Sequence, residues 1–377
     1  MSLHSLHNAG QGSVKKSKVF LYSAGDTTSD HELAVHEAIG YQIAALLDCA
    51  YSGVWCSPAL GDHSCYYIPS DTLVGSQESL WQGMCVGDFF GGWVPARWTA
   101  TKVLSHPLWH ESTSAPEGWS AAFMEKAEKA VLNGYSAFTL KDAFSAGTEL
   151  LKHGTVRIKP AEAKAGRGQA VVDNVSALKA ALENLPMNAI EKCGVVVEEH
   201  LSGVVTYSVG QIDIAGFTAS YVGTQTLTSD NTGEQVYGGS DLLMVRGGYQ
   251  RLLEENLSSA LKVAVAQARC YEEAAFAAYP ELLLSRRNYD IAQGRNARGE
   301  LVSGVLEQSW RIGGASSAEI FGLAEMCRNP HLNKVRSASM EFYGKDVLLP
   351  EDAVVLYQGH DKEVGDITKC VRVFSNE

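Results

Sequence analysis

The sequence predicts an α/β protein with a small open-sheet domain at its start, followed by a larger region that mixes α and β elements. The chain has 377 residues, 45% of them hydrophobic, which is enough for a large core and two or three domains. Near the N-terminus, buried strand patterns alternate with an amphipathic helix. Further along, runs that alternate apolar and polar residues are typical of antiparallel strands.

The composition of the chain argues against several classes of binding partner. The formal net charge of −12 argues against nucleic acid, whose binding needs a basic surface. No stretch has the roughly 18–20 apolar residues of a membrane-spanning helix, and the polar residues 1–17 lack the apolar core of a signal peptide. Eight cysteines without paired spacing indicate reduced thiols. We therefore expect a cytoplasmic protein without nucleic-acid or membrane partners, with residues 1–17 as a flexible tail.

Residues 18–94 are expected to form the N-terminal α/β domain. The apolar run "KVFLYS" (18–23) predicts a strand, and apolar residues at helical spacing in 29–47 predict a helix. A short strand at 65–70 and a second helix at 76–84 complete the pattern. The following Gly-, Trp- and Pro-rich stretch is typical of a domain boundary.

Residues 95–200 open with two predicted helices, 117–134 and 140–154, each ended by a glycine. A strand, a small-residue loop and a second strand follow at 156–172. A helix and a strand that ends in two acids complete this part.

Residues 201–377 begin with two alternating runs, 205–216 and 217–228, that predict an antiparallel pair. One long alanine-rich helix is predicted at 249–278. A hairpin over 282–310 and a helix over 314–327 follow.

The predicted hairpin carries Asp290 and Glu307 on its two strands, so we expect these acids to be close in space. Two apposed carboxylates are costly unless a positive group lies between them. Mg²⁺ suits such a pair, because it takes one or two carboxylates and fills its shell with water and nucleotide phosphate. Ion pairs with Arg286, Arg287 or Arg311 are the alternative, and these arginines are equally suited to binding phosphate or a carboxylate.

The loop within 156–172 lacks both the Walker A pattern and the third glycine of a dinucleotide fingerprint. It is either an ordinary hairpin turn or a loop whose amides surround phosphate beside Lys159. Glu198 and Glu199 end a buried strand. This is either a solvated strand end or a place where backbone groups bind a flat base. Residues 237–248 predict a glycine-rich loop that brings Arg246 to a substrate, or a plain exposed turn.

The order of these features resembles the ATP-grasp superfamily over residues 95–320, and 18–94 is similar to the small pre-ATP-grasp domain that precedes it. The implied lobes are a central and lid lobe, 95–200, and a C-terminal lobe, 201–377. More narrowly, "FFGGWVPARWTATKVLSHP", "SRRNYD" and "GVLEQSWRIGGAS" resemble an uncharacterised proteobacterial family, sometimes labelled biotin carboxylase-like.

The resemblance implies roles residue by residue. The implied nucleotide contacts are Lys102, Lys159, the lid residues Gly166, Arg167 and Gly168, and the hinge residues Glu198, Glu199 and Leu201. The implied magnesium ligands are Asp290, Glu307 and Ser309, of which Ser309 stands where the superfamily usually has asparagine. Candidates for stabilising the transferred phosphoryl group or holding the substrate are Arg287, Arg311 and Arg246.

The implied activity is that of a ligase that uses ATP and Mg²⁺ to activate a small-molecule carboxylate as an acylphosphate, which an amine or similar nucleophile then attacks. Two alternatives stay open. One is a nucleotide-binding regulatory protein without catalysis, which Ser309 and the glycine-poor lid favour. The other is an ATP-grasp kinase that stops at phosphoryl transfer. A homodimer is the default expectation for the assembly.

Overall fold

The computed structural model describes residues 14–24, 28–56, 61–75, 83–112, 114–163 and 168–374. The α-helices in these residues are α1 (Asp30–Leu46), α2 (Ala121–Ala127), α3 (Leu140–Leu151), α4 (Val175–Glu183), α5 (Met187–Cys193), α6 (Tyr249–Leu253), α7 (Ser259–Ala278) and α8 (Ser316–Arg328). The strands are β1 (Lys18–Tyr22), β2 (Ala50–Val54), β3 (Cys65–Pro69), β4 (Leu73–Val74), β5 (Gly92–Val94), β6 (Gly134–Ala137), β7 (Val156–Pro160), β8 (Ala170–Val172), β9 (Val195–Glu199), β10 (Ser202–Ile214), β11 (Phe217–Ser229), β12 (Gln235–Arg246), β13 (Leu283–Leu284), β14 (Arg286–Arg295), β15 (Leu301–Ser309), β16 (Lys334–Tyr343), β17 (Val354–Asp361) and β18 (Gly365–Phe374).

The N-terminal part contains a parallel sheet in the order β2-β1-β3, with α1 packed against it. The predicted strands at 18–23 and 65–70 and the first predicted helix are confirmed. Most of the second predicted helix, residues 76–82, lies outside the described residues, as do residues 1–13 of the predicted tail. Lys16, from the described end of that tail, is buried and donates to the Asp88 carboxylate.

The middle of the chain forms an antiparallel sheet in the order β6-β9-β7-β8. Its core is aliphatic, because α3 and α4 cover one face with small and branched residues such as Ala143 and Leu178. Thr139 and Asn174 accept hydrogen bonds from the first turns of these two helices and so fix where each begins. The sheet places Lys159 on β7 next to the acids at the end of β9.

The last part is dominated by an eight-stranded antiparallel sheet in the order β15-β14-β10-β11-β12-β16-β18-β17. One face packs against α1 and α8, and the other packs against α7. The predicted hairpin at 282–310 is confirmed as β14 and β15, which form one edge of this sheet. The short strand β13 pairs with β5 and so joins this part to the N-terminal part.

The predicted single helix at 249–278 is wrong, because two helices occupy this region. The helix α6 ends at Leu253, and α7 begins at Ser259. Ser258 adopts an extended backbone, and its side chain accepts a hydrogen bond from the Leu261 N–H, so it caps α7. A serine that competes for backbone donors in this way favours a new helix start over continuation.

The predicted loop at 237–248 is also wrong, because these residues belong mainly to strand β12. Leu242 and Met244 are fully buried on one face of the sheet, which gives the segment the alternation of a strand. The glycines that suggested a loop lie at an irregularity in the pairing with β11. Gly239 has φ +139°, and a Cβ there would lie 2.1 Å from the Ser339 carbonyl oxygen, so the close approach of β16 requires glycine.

A buried ion pair joins the large sheet to α8. The Arg286 guanidinium donates to both carboxylate oxygens of Glu319 at 2.6 and 2.8 Å, and both side chains are at most 1% exposed. The Tyr221 hydroxyl donates to the same carboxylate at 2.7 Å. Because every partner is desolvated, removal of one charge leaves the other without compensation.

We expect Glu319→Ala to lower the free energy of unfolding by about 3–5 kcal/mol, because it leaves the Arg286 guanidinium buried and unpaired. Urea unfolding curves measure this difference. Glu273→Ala is the matched control, because Glu273 forms an exposed pair with Arg269 on α7, and its loss should cost about 0.5 kcal/mol or less. Equal losses in both variants would contradict the assignment of Arg286 and Glu319 as a supporting pair.

Candidate active site

The site is built around two carboxylates on the edge hairpin. Asp290 of β14 lies directly opposite Glu307 of β15 in the antiparallel register. The Gln225 and Asn288 side-chain amides donate to Asp290 Oδ1 at 2.7 and 3.0 Å. Burial and the Glu307 charge nevertheless raise the pKa of Asp290 to about 6. The pair therefore carries an electrostatic cost that a cation would relieve.

Lys102 supplies one positive charge to this pair. Its ammonium lies 3.2 Å from the Glu307 carboxylate and also donates to the Ala163 carbonyl oxygen. Lys102 begins a 3₁₀ turn, Lys102–Ser105, which Thr101 caps by accepting a hydrogen bond from the Val103 N–H. This turn holds the lysine in a buried position between the hairpin and the segment that follows β7.

The donor set also fits Mg²⁺. Ser309 lies two residues beyond Glu307 on the same strand, so its hydroxyl faces the same side of the sheet. Within the described ranges, no three His, Cys, Asp or Glu side chains lie together so that they could hold a metal ion. An ion at this site would therefore have only Asp290 and Glu307 as charged protein ligands among these residues. Two carboxylates and a hydroxyl leave most of a magnesium shell to water and phosphate, which is how Mg²⁺ is usually held at nucleotide sites.

A second charged group lies in the middle sheet. The Lys159 ammonium is 2.5 Å from one Glu198 oxygen, and His106 Nε2 is 3.0 Å from the other. All three side chains are buried. Burial would raise the pKa of Glu198, but the Lys159 charge and the His106 hydrogen bond lower it to about 2. Glu198 is thus ionised at neutral pH, and its carboxylate fixes the lysine predicted to contact phosphate.

The remaining implied nucleotide residues have different surroundings. Glu199 lies at the half-buried end of β9, and burial raises the pKa of its carboxyl group. Leu201 is buried in a small apolar cluster with Leu132. Gly168 has φ +67° at the end of the loop before β8. Gly166 and Arg167 lie outside the described residues.

The three candidate arginines, Arg311, Arg287 and Arg246, lie in different parts of the structure. Arg311 follows β15 and lines the same cleft as Glu307, with its side chain 28% exposed. Arg287 has the opposite strand parity to Asp290 and faces α7, where it contacts Asp213 and Glu272 at 2.7 and 3.1 Å. Among the described residues, neither acid of the carboxylate pair forms an ion pair with Arg286, Arg287 or Arg311, and Arg286 pairs with Glu319 instead.

Arg246 is also remote from the carboxylate pair. It lies on β12, which β10 and β11 separate from β14, in register with Arg286 instead of Asp290. Its guanidinium donates to the Met326 carbonyl oxygen at 2.7 Å and lies over the Phe217 ring. Its contacts are those of a residue that supports the fold.

Lys102, Glu307, Ser309 and Arg311 line one cleft, which also contains residues that the sequence did not single out. Its walls come from four short segments: 71–72, 97–102, 161–163 and 307–311. Three of the charged lining residues, Asp71, Arg97 and Glu162, were not predicted from the sequence. The one signal for Asp71 was its place just after β3, at the carboxyl end of a parallel strand, where ligands commonly bind.

The comparisons with known proteins agree with this architecture. A family described as "Protein of unknown function (DUF3182)" matches residues 19–371. The chain belongs to the DUF3182 family. This confirms the predicted resemblance to an uncharacterised family. No curated protein sequence is significantly similar to this DUF3182 protein.

Solved structures identify the fold. The N5-carboxyaminoimidazole synthetase from Staphylococcus aureus, complexed with ADP, gives a TM-score of 0.56 at 11% identity and covers 97% of this chain and 95% of that chain. A second structure of that synthetase gives 0.51 at 11% identity, with the same coverage. The D-alanyl-alanine synthetase A from Vibrio cholerae gives 0.47 at 13% identity, covering 84% and 95%. The DUF3182 protein has the ATP-grasp fold, as the sequence predicted.

A separate finding concerns membranes. Among the residues that the structure describes, no helix combines the length and apolar character needed to span a bilayer.

We expect Asp290→Asn to stabilise the nucleotide-free protein above about pH 6. The folded-state pKa of Asp290 is about 6 and the unfolded value is about 3.9, so the folded state binds the proton more tightly. The stability of the unsubstituted protein therefore falls as pH rises between about 4 and 6, a loss that asparagine avoids. Melting temperatures across this range, without Mg²⁺, measure the difference.

The control for this prediction is Asp241→Asn. Asp241 accepts two hydrogen bonds from the Arg336 guanidinium at 2.6 and 2.8 Å, so its amide should be destabilising at neutral pH. A stability difference between Asp290→Asn and the unsubstituted protein that stays constant from about pH 4 to 8 would contradict the prediction.

Proposed function

We propose that this DUF3182 protein is an ATP-dependent ligase that activates a small-molecule carboxylate for attack by an amine or similar nucleophile. The observation that carries the proposal is the apposition of Asp290 and Glu307 across the hairpin, with Glu307 lining one cleft together with Lys102 and Arg311. Such a set matches what phosphoryl transfer requires, namely fixed positive groups and carboxylates for a magnesium ion around the transferred group.

The proposed nucleotide residues come from residues 95–200, except for Leu201 just beyond them. Lys159 and Lys102 are proposed to contact the phosphates, because both ammonium groups are buried and fixed by acids or carbonyls. The backbone of Glu198, Glu199 and Leu201 is proposed to bind the adenine at the junction of β9 and β10. The side chain of Glu198 is occupied by Lys159 and His106, so its contribution to the base comes from its backbone groups.

The proposed reaction has two steps. A substrate carboxylate oxygen attacks the γ-phosphorus, which releases ADP and forms an acylphosphate. The nucleophile then attacks the carbonyl carbon and displaces phosphate. When bound by Asp290, Glu307 and Ser309, Mg²⁺ would neutralise phosphate charge. Arg311 is proposed to hold the carboxylate, because it lines the cleft with Glu307. Positioning and charge stabilisation supply most of the rate.

The contacts described above reduce the three candidate arginines to one. Arg311 stays in the proposal as the carboxylate-binding or phosphoryl-stabilising group. Arg287 and Arg246 are proposed to support the fold, because their guanidinium groups are bonded to acids or carbonyls away from the cleft.

A nucleotide-binding protein without catalysis is the second candidate. Ser309 favours it, because a hydroxyl is a weaker magnesium ligand than the asparagine carbonyl usual at this position. An ATP-grasp kinase is the third candidate. Hydroxylamine separates a ligase from a non-catalytic protein and from a kinase that phosphorylates a hydroxyl group, because it traps an acylphosphate as a hydroxamate and neither of these forms an acylphosphate.

Lys159→Met should weaken Mg-ATP binding by roughly 10–100-fold, the effect of losing a hydrogen bond to a charged group worth about 1.5–3 kcal/mol. Titration calorimetry measures the dissociation constant. Lys152→Met, which removes an exposed lysine from the end of α3, is the control and should bind as the unsubstituted protein does. Unchanged affinity in Lys159→Met would contradict the phosphate-contact role.

Glu307→Gln should reduce ADP release by about a thousandfold, because metal-assisted charge stabilisation is worth several kcal/mol. The assay supplies Mg-ATP, a pool of small carboxylates and hydroxylamine, and measures both ADP and hydroxamate. Glu300→Gln, in the exposed turn of the same hairpin, is the matched control and should retain full activity. ADP without hydroxamate would favour the kinase, and ATP binding without ADP release would favour the non-catalytic protein.

A further inference from the structure

Gln308 is a buried side chain that none of the proposed reaction steps uses. It lies on β15 between the two proposed magnesium ligands Glu307 and Ser309, and only 4% of it is exposed. Successive side chains of a strand point to opposite faces, so Gln308 points towards the face that packs against α7. Its partner across the hairpin, Tyr289, is completely buried on that face. The Gln308 amide therefore needs hydrogen-bond partners inside the protein.

Those partners belong to the segment that carries Lys102. The Gln308 Nε2 donates to the carbonyl oxygens of Thr99 and Thr101, both at 2.8 Å. Both N–H groups of the amide are thus used, by residues three and one positions before Lys102. Thr101 is also the residue that caps the turn Lys102–Ser105. The amide therefore holds the start of this turn against β15.

The same amide is linked to the end of the turn through one hydroxyl group. The Tyr271 hydroxyl of α7 donates to Gln308 Oε1 at 3.2 Å, and Ser105 Oγ lies 3.2 Å from that hydroxyl. Because Tyr271 gives its only proton to Gln308, Ser105 is the donor in the second bond. The three side chains are at most 4% exposed. A buried polar network in which every member is satisfied makes this part of the structure rigid.

The lysine of the turn pairs with the neighbour of Gln308 on the strand. The Lys102 ammonium lies 3.2 Å from the Glu307 carboxylate. The turn contacts β15, which is the edge strand of the large sheet, so side chains on both faces of β15 can reach it. Gln308 thus holds the backbone of the segment, and Glu307 holds its lysine side chain. In the proposed site this lysine exchanges acceptors when phosphate binds, and it can do so in place only if its backbone stays fixed.

We propose that Gln308 is a positioning residue for the nucleotide site. It fixes the Lys102–Ser105 turn against β15, so that the Lys102 ammonium meets the phosphates of Mg-ATP at a constant distance from Glu307. The inference rests on the proposed function and adds a residue that itself touches neither nucleotide nor metal. Its effect on ATP passes through Lys102. A residue that only stabilised the fold would affect ATP binding equally with and without that lysine.

Gln308→Met in the full chain tests this role, because methionine has a similar length and can donate no such hydrogen bonds. We expect the dissociation constant of Mg-ATP, measured by titration calorimetry, to rise about tenfold, the lower end of the loss expected when a lysine no longer contacts phosphate. In a Lys102→Met background, the same substitution should change the dissociation constant by less than about twofold, because the lysine through which Gln308 acts is gone.

The matched control is Gln293→Met, which makes the same substitution in the same hairpin. The Gln293 amide also donates to a backbone carbonyl oxygen, that of Ala260 on α7, at 2.9 Å. It has no contact with the Lys102 turn among the contacts described, so its loss should leave Mg-ATP affinity unchanged. Melting temperatures show that each variant is folded and how far each substitution destabilises the chain.

Tyr271→Phe is a milder second variant, because it removes only the link between Ser105 and Gln308. We expect it to weaken Mg-ATP binding about threefold, as for loss of one neutral hydrogen bond, and again only when Lys102 is present. If Gln308→Met does not fold, Tyr271→Phe decides by the same criterion.

The positioning role would be overturned by unchanged Mg-ATP affinity in Gln308→Met, or by equal losses with and without Lys102. A loss in Gln293→Met as large as that in Gln308→Met would overturn it too. Mg-ATP binding without ADP release from any carboxylate would remove the proposed ligase and leave the role of Gln308 standing. Absence of Mg-ATP binding by the unsubstituted protein would remove both.

Discussion

The cost of holding Asp290 beside Glu307 is the constraint on which the rest of the site depends. The hairpin register that brings them together is fixed from the other face, where Tyr289, Ile291 and Val305 are completely buried against α7 and its neighbours. A slip of one residue would turn these apolar side chains toward solvent. Their burial therefore stabilises the register that also places the two repelling carboxylates opposite each other. Lys102 and the amides around Asp290 then reduce that repulsion without removing it.

Much of the fold could be predicted because periodicity is a local property. The strands of the hairpin, the first parallel strands and α8 follow from spacing alone, and so did the apposition of the two acids. The helix break at Ser258 and the strand at 235–246 could not be predicted, because capping and close packing of Gly239 against β16 overrode propensity. The resemblance to ATP-grasp proteins supplied the fold name that periodicity could not.

The site was harder to predict than the fold because its residues are brought together by tertiary contacts. The sequence analysis named both Arg287 and Arg311, and setting Arg287 aside needed strand parity, which depends on which face of the sheet packs against which helix. Asp71, Arg97 and Glu162 lie in separate segments that meet only when the N-terminal sheet, the middle sheet and the hairpin pack together. The spacing of these three residues in the sequence gives no sign that they come together. Lys159 and Glu198 lie on neighbouring strands, so their proximity was easier to predict.

The double engagement of Lys102 has a consequence for how nucleotide enters. Its ammonium already holds the Glu307 carboxylate and the Ala163 carbonyl oxygen, just as Lys159 already holds Glu198. In the proposed nucleotide site, a phosphate would therefore exchange one set of partners for another and create few new ion pairs. Because the number of paired charges changes little, nucleotide affinity should depend on ionic strength less steeply than the charge of ATP alone would suggest. In the proposed site, the protein's own acceptors thus compete with the nucleotide phosphates for the two lysines.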